Sequence, residues 1–153
     1  MIFLLAHDKK KKNSGGGVGG KVTRRVGGNV KSSLKKLRLY GKDVPANVSN
    51  KILLLEAETE TLSSTKGGKK SKDSISSKFI QSIDEARRYG LIHEEAYANE
   101  RYAIALLGWD DVPSSLEYFA RAKCLYEKWG SPVKVERLVS YVREKSGVNM
   151  HGQ

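Results

Sequence analysis

The chain has 153 residues, with 28 lysines and arginines against 17 aspartates and glutamates and a formal charge of +11. Its single cysteine, Cys124, rules out an internal disulfide framework, and no Cys/His spacing suits a zinc site. No apolar run approaches the roughly 20 residues needed to cross a bilayer, so a membrane span is not expected.

The charge is unevenly spread. Residues 1–46 hold 12 of the basic residues, 2 of the acidic ones and 8 of the 15 glycines, which leaves residues 47–153 with a net of only +1. The expected organisation follows: a disordered basic Gly/Lys-rich linker over 1–46, a helical domain over 47–146 and a disordered tail over 147–153. Residues 2–6 read as the end of a helix. Because that apolar stretch precedes Lys9-Lys10-Lys11-Lys12, its order is the reverse of a secretory signal. Within the linker the apolar residues are too sparse to offset the entropy of ordering the backbone. Leu34, Leu37 and Leu39 allow a short helix over Ser32–Leu39.

Past Pro45 the pattern becomes helical. Asn47 or Ser49 is read as the cap of a helix with Ile52, Leu53, Leu54, Leu55 and Leu62 as its apolar positions and Glu56, Glu58 and Glu60 toward water. Residues 63–74 read as a polar loop. Ile75, Phe79, Ile80, Ile83 and Ala86 recur at three and four, one face of a second helix that Gly90 stops. A third helix starts near His93, with Glu94 and Glu95 at its positive dipole end and Ala96, Tyr97, Tyr102, Ala103 and Leu106 as its stripe. Gly108-Trp109-Asp110-Asp111 ends it. Pro113 opens a fourth helix lined by Leu116, Phe119, Ala120, Ala122, Leu125, Tyr126 and Trp129, up to Gly130. Ser131 and Pro132 start a fifth, with Val133, Val135, Leu138, Val139 and Val142, closed by Gly147. No alternating strand with a hairpin signal occurs. The fold class expected is all-α, four to five helices in antiparallel hairpins.

An internal echo supports a repeat. At an offset of 36, Phe79, Ile83 and Ala86 align with Ser115, Phe119 and Ala122. A tetratricopeptide unit repeats at about 34 residues as two antiparallel helices. Ser115, Phe119 and Ala122 match its small–aromatic–Ala order, and Ala103 and Leu106 its small and bulky positions; Asn99 stands where the usual Trp would, and the closing Pro is missing. Two further stretches, Gly90-Leu91-Ile92-His93-Glu94-Glu95-Ala96-Tyr97-Ala98-Asn99-Glu100 and Tyr126-Glu127-Lys128-Trp129-Gly130-Ser131-Pro132-Val133-Lys134-Val135, resemble the tetratricopeptide-like region of large multidomain signalling proteins. Those proteins join a protein-kinase-like domain, an AAA-type predicted ATPase domain and sensor, histidine-kinase or cyclase modules. The resemblance covers residues 48–142 and departs at Gly108–Pro113 and in the basic insertion at 63–74. It implies a fragment or stand-alone relative without kinase, ATPase or cyclase activity, acting as an interaction or regulatory module in the cytoplasm.

Candidate chemical sites each meet a plainer reading. Gly15-x4-Gly20-Lys21 has P-loop spacing, but a lysine run replaces the preceding strand and Val22 the magnesium-binding Ser/Thr, so a linker is favoured. The Lys9–Lys12 run and the Lys31–Arg38 cluster are read first as a solvated linker; they could also bind nucleic acid through residues 9–38, an acidic membrane or a nuclear-import receptor, with no aromatic between them before Tyr40 to stack on bases. His93 is read as a first-turn cap and Cys124 as a buried thiol; His7 and His151 lie near the ends. The pairs Glu94/Glu95 and Asp110/Asp111 point apart as helix neighbours do. Tyr97, Tyr102, Tyr118, Tyr126, Trp109 and Trp129 form an aromatic set, some of which could line a peptide groove; Tyr102, Phe119, Tyr126 and Trp129 are assigned to the core, Tyr118 nearer the surface, and Trp109 is the foremost contact candidate. No catalytic, cofactor or metal residue is assigned. The partners expected are proteins: adjacent repeats, kinase or sensor modules, or a client peptide.

Overall fold

One turn, used three times, sets the architecture. In the computed structural model, which describes residues 19–64 and 71–147, six helices and no strand occur among the described residues. They are α1 (Gly19–Tyr40), α2 (Pro45–Ser64), α3 (Lys72–Arg88), α4 (Ile92–Gly108), α5 (Val112–Lys128) and α6 (Pro132–Ser146). From α3 onward the helices begin at 72, 92, 112 and 132, and α3, α4 and α5 have 17 residues each. The turns between them are Tyr89-Gly90-Leu91, Trp109-Asp110-Asp111 and Trp129-Gly130-Ser131.

Each turn closes in the same way. The third residue donates five back, Leu91 to Ala86, Asp111 to Leu106 and Ser131 to Tyr126, at 2.9, 3.0 and 3.0 Å. The second donates to the carbonyl three before it, Gly90 to Arg87, Asp110 to Leu107 and Gly130 to Glu127. These paired bonds satisfy carbonyls that a helix end leaves open, and they need a left-handed residue at the middle position. Gly90 and Gly130 supply it at φ +67° and +77°, and Asp110 adopts it at φ +65°.

Successive short turns make neighbouring helices antiparallel, and each packs mainly on the helices before and after it. The hairpin therefore repeats at 40 residues, not at the expected 36 and not at the 34 of a consensus tetratricopeptide unit. Ile83 and Phe119 are both buried as expected, but the equivalent of Phe119 at this spacing is Phe79, and both rings are closed to solvent. The 36-residue alignment was one helical turn short. Helical faces look alike after a turn, so apolar spacing alone does not separate the two registers.

The core has two parts that meet at α4. Leu54 and Ala57 of α2, Ile75, Phe79 and Ile83 of α3, and Ala98, Tyr102, Ala105 and Leu106 of α4 form one. Ala96 and Ala103 of α4, Phe119, Ala122 and Tyr126 of α5, and Leu138 and Val142 of α6 form the other. Alanines at four positions let α4 lie between two layers at close range. Buried hydroxyls fix the layers too: Ser82 donates to the Asn50 carbonyl at 2.8 Å, and Ser115 to that of Ala103 at 2.9 Å.

Gly19–Tyr40 is helical, longer than the short helix read at 32–39, and stands before the five helices of the body. No proline interrupts that stretch, and its Lys, Arg and Leu residues are strong helix formers. The chain divides into two compact units, residues 1–33 and 34–153. Within the second unit Leu34 is buried and Arg38 pairs with Glu56 at 2.5 Å. The loop read at 63–74 narrows, because Ser63 and Ser64 finish α2 and Ser71 caps α3 by accepting from the Ser74 amide at 3.2 Å. Readings on residues 1–18, including Ile2–Ala6, His7, Lys9–Lys12 and Gly15–Gly17, on 65–70, and on 148–153 with His151, lie outside the described residues.

Candidate interaction surface

The turn after α4 places Trp109. Its backbone caps α4, Asp110 swings the chain through the left-handed region, and the Asp111 carboxylate caps α5 by accepting from the Ser114 amide at 3.2 Å. The indole packs half-buried against the first core layer. From α3, Lys72 places its ammonium 5.8 Å from the centre of the indole ring and donates to the Trp109 carbonyl at 3.5 Å.

An aromatic ladder runs outward beside it. Phe79 stacks on Tyr102 at 5.1 Å, and Tyr102 meets Tyr118 edge-on at 4.5 Å. Arg121 lies over the outer face of this ladder, 4.8 Å from the Tyr118 ring. Partial burial, helped by the neighbouring Tyr102 and Glu117 and only partly opposed by Arg121, pushes the Tyr118 phenol above its ordinary pKa. Trp109, Tyr102 and Tyr118 wall a cleft of about 480 Å³ whose other lining residues include Lys72, Asp73 and Ser76 of α3 and Asp111, Ser114 and Glu117 around the start of α5.

A second aromatic group lies where α4, α5 and α6 meet. Lys134 stands between Tyr97 and Tyr126, 5.6 and 5.4 Å from their ring centres. His93 stacks on Trp129 at 5.3 Å. The Tyr126 hydroxyl donates to Glu100 at 2.6 Å, and burial together with the Glu100 carboxylate drives its pKa far upward.

Several sequence readings are corrected here. Trp129 is 47% exposed, because it caps α5 three residues beyond the last buried position, Tyr126. Cys124 is exposed; the buried stripe of α5 runs through Ser115, Phe119, Ala122 and Tyr126, and Cys124 falls off it. His93 does not cap α4, since Leu91 holds that position without a side-chain bond. Ile80 and Leu62 are exposed, Tyr97 borders the surface, and Val133 is open to solvent. Trp109 is half-buried and not a free turn residue. Phe119, Tyr102 and Tyr126 are buried, and Tyr118 lies nearer the surface, as read. The adjacent acidic pairs do point apart: Glu94 binds Asn50 and Lys51 while Glu95 binds Arg87 at 2.9 Å. Gly19, Gly20, Lys21 and Val22 all lie in the first turn of α1.

The glutamates of α2 were misread as a solvent face. Lys78 of α3 bridges Glu56 at 3.1 Å and Glu60 at 2.7 Å, and Glu58, 7% exposed, pairs with Arg101 of α4. Partial burial raises the Glu56 carboxyl, but the hydrogen bonds and charges of Lys78 and Arg38 outweigh it and hold the pKa below its ordinary value. The signal was present in the spacing: Glu56 and Glu60 are four apart and share a face, while Glu58 lies on another. No group of three or more His, Cys, Asp or Glu residues able to hold a metal occurs among the described residues. No described helix is long and apolar enough to cross a membrane. No protein-family model, curated protein or solved structure matches the chain.

Proposed function

We propose that the chain is a noncatalytic protein-interaction and regulatory module of intracellular signal transduction, with the Trp109 cleft as its contact surface. The observation that carries this reading is the cleft itself. Trp109 of the turn and Tyr118 of α5, both half-buried, reach the cleft over the buried Tyr102 of α4, on a scaffold held by three like turns, and rigid aromatic rings give large contact area for little entropy. The signalling context draws on the resemblance at Gly90–Glu100 and Tyr126–Val135, two stretches that supply the Gly90 and Gly130 turns.

A second reading is nucleic-acid binding through residues 9–38. Lys31 of the first unit is exposed, and so are Lys35, Lys36 and Arg38 of the second. Affinity capture with the full chain separates the two. Under the module reading, proteins retained by the wild type are retained by a Lys35→Gln/Lys36→Gln variant and lost with Trp109→Ala. Loss with the lysine variant, or on nuclease treatment, together with retention by Trp109→Ala, would transfer the function to the basic helix.

A further inference from the structure

The cleft beside Trp109 carries a charge opposite to that of the whole chain. Asp73, Asp111 and Glu117 line it with Lys72, and Arg121 at its edge pairs with Glu117 at 2.5 Å, which leaves one negative charge in excess, although the chain as a whole is at +11. Its two outer aromatic walls are each already covered by a cation from the same chain. The Lys72 ammonium sits over Trp109, and the Arg121 guanidinium over Tyr118. The face of an aromatic ring attracts a cation through its quadrupole, and nearby carboxylates add to that attraction.

We infer that this cleft receives a lysine side chain from a basic peptide segment of a partner protein, with Lys72 as the resident ammonium that the incoming one displaces. The inference rests on the module reading above and specifies the chemistry of its ligand. The aromatic walls take the methylenes and the charge of the incoming side chain, Asp73 holds its ammonium, and Glu117, which keeps its pair with Arg121 through one oxygen, offers the other. Both carboxylates are exposed and stand on different helices, α3 and α5, so one cation can be addressed from two sides. An acidic peptide meets the excess of carboxylate over cation instead and is repelled.

The test uses the full chain with Trp129→Phe, which leaves Trp109 as the only tryptophan, and a tetralysine peptide capped at both ends. Saturable quenching of Trp109 is expected at low salt, with none from capped tetraglutamate. Asp73→Asn/Glu117→Gln should weaken tetralysine about tenfold, and Lys72→Gln should tighten it about threefold, the scale of one exposed cation–aromatic contact. A flat titration, or affinities unchanged in both variants, overturns the inference. If capture through Trp109 succeeds while tetralysine does not bind, the lysine specificity alone is wrong. If that capture also fails, the module reading falls with it.

Discussion

Asp110 is the exception among the three turns, and replacing it with glycine should stabilise the protein. At φ +65° it occupies the left-handed region that Gly90 and Gly130 hold in the sister turns. That region costs an ordinary residue about 1–2 kcal/mol, and aspartate somewhat less because its short polar side chain is tolerated there. Glycine removes the strain but adds freedom to the unfolded chain, worth about 0.5–1 kcal/mol in the opposite direction. The net expected for Asp110→Gly is a gain of about 0.5 kcal/mol, or about 2 °C in Tm for a domain of this size. The converse changes carry the opposite sign. A Cβ built on Gly90 or Gly130 meets nothing within 4 Å, so Gly90→Ala and Gly130→Ala suffer backbone strain alone, about 1 kcal/mol and about 4 °C each. Calorimetry on the three single variants provides the check. Neutral alanine variants, or a lower Tm for Asp110→Gly, would show that the turns are not equivalent and that the 20-residue spacing is incidental.

Phe79→Ala and Phe119→Ala should each cost about 3–5 kcal/mol in urea unfolding, since both rings are closed to solvent one hairpin apart; a loss below about 1 kcal/mol at either would remove it from the core. Arg101→Ala leaves the buried Glu58 carboxylate without its partner and should cost about 2 kcal/mol, with Glu58→Leu/Arg101→Met recovering most of it. Recovery failing in the double variant would mean that Arg101 acts through packing. The lowered pKa of Glu56 gives an acid limb to the stability profile. Its contribution is present above the ordinary carboxyl value of 4.5 and is lost as pH falls below that through the folded value. Chemical denaturation between pH 6 and pH 3 should show this loss, and Glu56→Gln should flatten part of it.

The helices of the body were legible in the sequence because their stops are chemically plain. Gly90, Gly130 and Gly147 end α3, α5 and α6, and Pro132 opens α6, where periodicity and punctuation agree. Asp110 hid the third like turn, and with it the spacing of 20, although an aromatic precedes the left-handed residue in all three: Tyr89, Trp109 and Trp129. The Trp109 cleft was half legible. Its indole stands out as an aromatic in a turn, but Lys72, Asp73 and Glu117 lie as far as 37 residues away and reach it only through packing. Cys124 and the α2 glutamates were misplaced for one reason: residue type was weighed above position on the helical wheel. A thiol that packs well elsewhere faces water here, and Glu58, which prefers water, faces Arg101.

A photo-reactive phenylalanine analogue placed at 109 in the full chain, with matched probes at 35 and 140, tests the central claim most directly. The cleft account predicts covalent protein adducts from position 109 and none from Lys35 of α1 or Ser140 on the outer side of α6. Adducts confined to position 35, or nucleic acid recovered there in place of protein, would contradict it.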